Sequence, residues 1–277
     1  MARHGARALA KPRPGPDEVR PEEDRERRRR PAPAPQAPWI DGGRVDDAGG
    51  GGRAPGTATS SSRRPSERSR LPPEIVDEVA RSAGQSQADK SAARLGDAAR
   101  AFRRERYYEA RRMLEPLARR LPDAAAVREL YGLTLYQMGR WRAAIAELET
   151  AERLSGSLEH HPILADCHRA LGHHPQVLRL WEELRQGPAS PPVVVEGRIV
   201  TAAALADRGQ VAEAIELLER GPVQVRKPRE HHLRLWYALA SLQERAGNIP
   251  RARQLLRGVL ETAPDFADAA DRYRTLS

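Results

Sequence analysis

Cysteine is almost missing from this chain: Cys167 is the only one in 277 residues. No intrachain disulfide can form, so packing must hold the fold, and a reducing compartment is the expectation. Long apolar runs are also missing. None approaches the roughly 18 residues that a membrane-spanning helix needs. The opening stretch MARHGARALAKPRPGPDE is charged but has no apolar core region, so it does not read as a secretory signal. We therefore expect a cytoplasmic protein with no membrane association. Lysine is scarce as well: arginine outnumbers it 44 to 3. That skew, with abundant alanine, fits the codon usage of a high-GC bacterial genome and dilutes the meaning of any single arginine. Catalytic signatures are missing too. There is no phosphate-binding glycine loop, no HExxH, no GxSxG and no CxxC pair.

Positive charge is present, and it is uneven. Residues 1–70 hold 16 basic against 10 acidic residues, a net +6, while 71–277 are close to balanced at +3. The leader mixes RRRR at 27–30, a Pro/Ala run, and GGGGR at 49–53. Such composition cannot bury enough apolar surface to offset chain entropy, so residues 1–70 are expected to be a disordered Arg/Pro/Gly-rich leader. Trp39-Ile40 is its one apolar island. A basic leader is a candidate for contact with nucleic acid. It lacks the interleaved aromatics or repeated RGG units that usually accompany that role.

Residues 71–90 read as a short helix, Glu74 to Ala83, followed by a connector. Pro73 suits the first helical turn, and Glu74, Asp77 and Glu78 favour its positive end. From about Ser91 the chain repeats. Val127 to Leu154 reads as two helices with a turn at Gly139-Arg140, and a shift of 34 residues back finds a second copy. Ala144 then falls on Ala110, Trp141 on Tyr107, Gly132 on Ala98 and Leu148 on Leu114. Weaker copies follow toward the C-terminus. Helix pairs are expected at 91–103 and 107–120, 126–138 and 141–154, 163–171 and 175–186, 194–208 and 211–220, and 232–246 and 250–261. A last helix at 266–276 has charge on one side and Phe266, Ala270 and Tyr273 on the other.

This arrangement resembles the tetratricopeptide repeat family. The fifth copy supplies Trp236, Leu239-Ala240, Gly247, Ala252, Leu256 and Pro264; the second supplies Gly132, Gly139, Trp141, Ala144, Leu148 and Ala151. The third departs most, with His168 for an apolar residue, His174 for an aromatic and Val177 for a small residue. The resemblance implies an all-α fold over 91–277: a right-handed helical solenoid of about five helix pairs plus a capping helix. One pair cannot bury its apolar face, so neighbours must stack, and the helix at 74–83 is expected to cap the opposite end. Ala144 should sit at the close contact between the two helices of repeat two.

The resemblance also implies a concave groove lined by the first helix of each pair. Carried onto this chain by position, its residues are Leu95, Ala99, Phe102 and Arg103, then Glu129, Leu133, Tyr136 and Gln137, then Asp166 and Arg169. Glu196, Ile199 and Ala203 follow, and Arg234, Tyr237, Ser241, Glu244 and Arg245 complete it. The partner-contacting subset is expected to be Phe102, Arg103, Glu129, Leu133, Tyr136, Gln137, Asp166, Arg169, Arg234, Tyr237, Glu244 and Arg245. Such a surface suits an extended or helical peptide of another protein, without catalysis and without a cofactor. Tyr136 is expected to face the groove, so that Tyr136→Ala costs less stability than Ala144→Leu but more binding. His160, His161, Cys167, His168, His173 and His174 form a cluster of metal-ligand types, but a helix about 15 Å long separates its two ends, and no metal is expected. The alternative reading is an RNA- or ribosome-associated factor that uses the basic leader.

Overall fold

The computed structural model describes residues 71–84 and 86–276. The expected leader, with Trp39-Ile40 and the arginine run, lies outside the described residues. Within them all regular structure is helical. A leading helix, α1 (Pro73–Ala83), is followed by five pairs. These are α2 (Ala88–Arg103) with α3 (Tyr107–Arg120), α4 (Ala125–Gln137) with α5 (Trp141–Ser155), and α6 (His161–Ala170) with α7 (His174–Gln186). Then come α8 (Pro191–Asp207) with α9 (Val211–Glu219), and α10 (Glu230–Arg245) with α11 (Ile249–Thr262). A short α12 (Ala269–Thr275) ends the series.

The same turn closes the first helix of every pair. One residue of that turn takes a left-handed conformation: Gly139, Gly172, Gly209 and Gly247 have φ between 68° and 81°. The following N–H then reaches back five residues, as Arg140 does to the Leu135 carbonyl at 2.9 Å and Asn248 to that of Gln243 at 2.8 Å. This satisfies carbonyls that the helix end would leave bare. Repeat one departs, because Glu105 stands at the glycine position with φ 58°.

Small residues set the spacing inside each pair. On the first helices these are Ala98, Gly132, Ala165, Ala202 and Ala240; on the second, Ala110, Ala144, Ala214 and Ala252, with Val177 in repeat three. All are buried. Gly132 allows a close approach, since a Cβ there would lie 2.6 Å from Leu148 Cγ. Leu114, Leu148, Leu218 and Leu256 fill the space beside these contacts. Each second helix also packs on the first helix of the next pair, so the core runs unbroken from repeat to repeat.

Several boundaries differ from expectation; α2 starts at Ala88, three residues early, and α10 at Glu230, two residues early. α8 starts at Pro191, three residues early, because Pro191 and Pro192 suit the first helical turn and need no N–H there. α6 starts at His161 for the same reason, with Pro162 in its first turn. α12 starts three residues late, after Ala267 takes φ 46° and breaks the helical run.

Candidate functional site

The first helices of the pairs carry the expected groove residues. At the N-terminal end Phe102 is half-buried, its ring edge-on to Tyr107 at 5.5 Å, and Arg103 is exposed. Leu133 packs against a cluster that contains Leu148, Leu164 and Val200. Gln137 is half-buried, and Arg245 at the other end is exposed.

Most of the remaining residues are engaged with one another. Tyr136 is only 6% exposed, and its hydroxyl donates to Asp166 Oδ2 at 2.8 Å. Its ring lies edge-on to Trp141 at 5.4 Å. Asp166 also accepts from Arg169 Nε at 2.8 Å, and Arg169 reaches on to Asp207 at 2.7 Å. Glu129 lies 3.4 Å from His160 Nε2. Arg234 grips Glu196 with both ends of its guanidinium, one contact measuring 2.9 Å. Tyr237 is 2% exposed and donates to Asp268, with the Arg272 guanidinium 4.8 Å above its ring. Arg272 also donates to Ser241 at 2.9 Å and to Glu244 at 2.7 Å.

These contacts cross from one repeat to the next, so they form a polar ladder along the first helices. Burial pushes the Tyr136 phenol well above its usual range, and Asp166 adds to the effect, so it stays a donor. Burial likewise raises Glu196, only partly offset by Arg234. For Arg169 burial works against the charge, but Asp166 and Asp207 outweigh it. Tyr136 is buried rather than open on the groove face. A buried phenol with a buried acceptor belongs to the joint between repeats two and three.

Two sets of functional side chains escaped the sequence reading. One is Asp268 and Arg272 of the terminal region, which complete the ladder beside Tyr237 and Glu244. The other recurs at one register position of the first helices, Arg94, Arg128 and Arg198. Arg128 reaches Glu147 at 2.8 Å, Arg198 the Leu217 carbonyl at 2.8 Å, and Arg94 the Met113 carbonyl at 3.4 Å. Each of these acceptors lies 19 residues on, in the same repeat. That fixed spacing was the available signal.

The histidine cluster disperses. His161 is buried between Glu152 at 3.4 Å and Glu183 at 3.3 Å, one on each ring nitrogen. His168 and His173 face each other, Nδ1 to Nδ1, at 3.2 Å. Among the described residues no three histidine, cysteine or acidic side chains are placed to hold a metal ion. Burial raises the Cys167 thiol well above its ordinary value, which suits a packed side chain rather than a nucleophile.

Residues 205–272 match the family model described as the tetratricopeptide repeat. That stretch carries the tetratricopeptide repeat. The fold of the chain is similar to that of a thermophilic tetratricopeptide-repeat protein of Thermus thermophilus, with a TM-score of 0.52 at 18% identity. That likeness covers 67% of this chain and 98% of the other. It is also similar to a chain of the APC/C hetero-tetramer Cut9-Hcn1, with a TM-score of 0.54 at 14% identity over 73% of this chain. This chain spans 38% of the length of that one. At these identities the likeness is one of fold. No curated protein sequence matches the chain. Among the described residues no helix is long and apolar enough to cross a membrane.

Proposed function

We propose that this protein is a non-catalytic interaction scaffold whose first-helix face binds a peptide segment of another protein. The observation that carries this reading is the polar ladder. Paired groups recur at repeat spacing along one face, and Arg234–Glu196 and Arg169–Asp207 each leave an exposed or half-exposed member at the surface. A partner chain laid along the face meets alternating donors and acceptors, with the apolar edges of Phe102 and Leu133 between them. This suits recognition of an extended or helical peptide that has both apolar and charged side chains. Of the residues expected to contact a partner, Phe102, Arg103, Glu129, Leu133, Gln137, Arg169, Arg234, Glu244 and Arg245 retain exposed or half-exposed surface for it. Asp166, Tyr136 and Tyr237 support the face from beneath.

The test compares proteins retained by immobilised wild type with those retained by Leu133→Glu and Arg245→Glu, after nuclease treatment. A protein held by wild type and released by both variants, each melting like wild type, supports the reading. Retention that is indifferent to both variants, or that vanishes with nuclease, rejects it.

A further inference from the structure

α1 does not cap the end of the array as the sequence leads one to expect. In repeat two, Val127 and Tyr131 face the preceding second helix and pack into the N-terminal core. The matching positions of repeat one, Ala93 and Asp97, are exposed. α1 therefore does not occupy the place of a preceding helix. It packs along α2 and reaches the start of α4 instead. Leu71, Ile75, Val79 and Ala83 share one apolar cluster with Leu95 and Phe102, both groove positions. Leu95 is left only 2% exposed.

The contact is built as a helix in a groove. Ile75, Val79 and Ala83 recur every fourth residue and make one stripe, while Glu74, Val76, Asp77 and Arg81 are exposed on the other side. A carboxylate adds direction. α4 begins after Ala124, which supplies no side-chain cap. Its first-turn N–H groups need an acceptor from elsewhere. Glu78 provides one, its Oε1 accepting from the Ala126 N–H at 3.0 Å across 48 residues of sequence. A carboxylate at a helix start also meets the positive end of the helix dipole.

The hold is narrow. α1 has 11 residues, and a helix that short is marginal without its packing partner. Val79 is its one fully buried side chain. Gly84, with φ 71°, breaks the chain before α2 begins. The five pairs pack on one another independently of α1.

We propose that the face beneath α1 is a docking site for an amphipathic helix carrying an apolar residue every fourth position and a carboxylate beside the second of them, and that α1 is its tethered occupant. A partner helix of that pattern displaces α1 and places its own carboxylate on the Ala126 N–H. This rests on the peptide-scaffold reading and specifies its N-terminal end.

The probe is a fluorescein-labelled peptide with the sequence of residues 71–84, followed by anisotropy. The receivers are the full-length wild type and the full-length double variant Glu78→Ala/Val79→Asp, which loosens the resident helix. The variant should bind the probe at least tenfold more tightly than wild type. A probe with Val79→Asp should not bind it. Adding Ala126→Pro to the receiver removes the N–H at a position where proline is tolerated, and should weaken binding severalfold. A double variant that melts like wild type yet binds no probe overturns the proposal. So does a double variant that no longer folds, because α1 is then a fixed part of the domain. Either failure leaves the scaffold reading standing if Leu133→Glu and Arg245→Glu still release the captured protein.

Discussion

Repeats two and three use the same helix pair and fill it differently. In repeat two the close contact is made within the pair: Gly132 on α4 meets Leu148 on α5, with Ala144 beside it. In repeat three the second helix carries Val177 and Trp181 at the places of Ala144 and Leu148, and both are buried. The extra volume is accommodated by the next repeat. A Cβ at Gly197 of α8 would lie 2.3 Å from Leu184 Cδ2 and 3.5 Å from Trp181 Cε3. Arg198 then stacks over the Trp181 ring at 5.1 Å. The glycine has moved from the first helix of the same repeat to the first helix of the following one. What the array keeps constant is filled volume at each interface, to the density that interiors require, and not the residue at each position.

The strongest way to break this comparison is to empty the larger site. Trp181→Ala should cost about 3–5 kcal/mol, since a buried aromatic leaves a cavity the neighbours cannot close. Chemical denaturation measures it. Gly197→Ala alone should destabilise by crowding Leu184, but combined with Trp181→Leu it should cost less than the two changes summed, because they share one space. Strict additivity would mean that Gly197 is small for another reason. On the other side of the comparison, Ala144→Leu should cost about 1–3 kcal/mol through overpacking. Hydrogen exchange should then show faster opening in repeats one and three as well as two, because each leans on its neighbours. Exchange confined to repeat two would contradict a shared core.

Much of this was legible in the sequence, and the reason is local. The starts of α3 at Tyr107, α5 at Trp141 and α9 at Val211 follow from turn residues and apolar spacing that lie within a few positions of each boundary. The burial of Ala144 follows from the repeat register. Tyr136 shows where that reasoning ends. Its position in the register reads as groove, yet its acceptor is Asp166, 30 residues on and in another helix. Nothing within one turn of Tyr136 announces that bond. α1 is the same case on a larger scale, because Glu78 and Ala126 are 48 residues apart and neither lies at a repeat-marked position. Local pattern places helices; the joints between repeats depend on pairs that only the assembled array brings together.

The joint at Tyr136 can be weighed. Tyr136→Phe keeps the ring against Trp141 and removes the hydroxyl, leaving Asp166 with Arg169 as its donor. The loss should be about 1.5–3 kcal/mol, the range for a hydrogen bond to a charged acceptor. An unchanged melting point would return Tyr136 to the groove. A pH series probes repeat three by a different route. Burial, with His173 as a smaller cause, lowers the His168 pKa below its unfolded value of about 6.5. The unfolded chain therefore takes up the proton first. The stability tied to His168 is full above pH 6.5 and is lost as pH falls through its folded pKa. His168→Phe should flatten the acid limb of the stability curve, and a limb of unchanged slope would assign it to other groups.

The smallest effect carries the opposite sign. Four of the five repeat turns place glycine in the left-handed region, and repeat one places Glu105 there at φ 58°. A side chain with a Cβ gives up about 1–2 kcal/mol in that conformation relative to the right-handed one. Glycine removes that strain but adds freedom to the unfolded chain, worth about 0.5–1 kcal/mol against it. Glu105→Gly should therefore leave a net gain of about 0.5–1 kcal/mol, the remainder of those two magnitudes. Glu105 is exposed, so no buried contact is lost with its side chain. The reverse change at the matching turn, Gly139→Ala, should destabilise by a similar amount, since Gly139 holds φ 68°. Paired thermal melts decide the matter. If Glu105→Gly melts at or below the wild-type temperature while Gly139→Ala loses stability, repeat one draws support from Glu105 that its turn geometry does not account for.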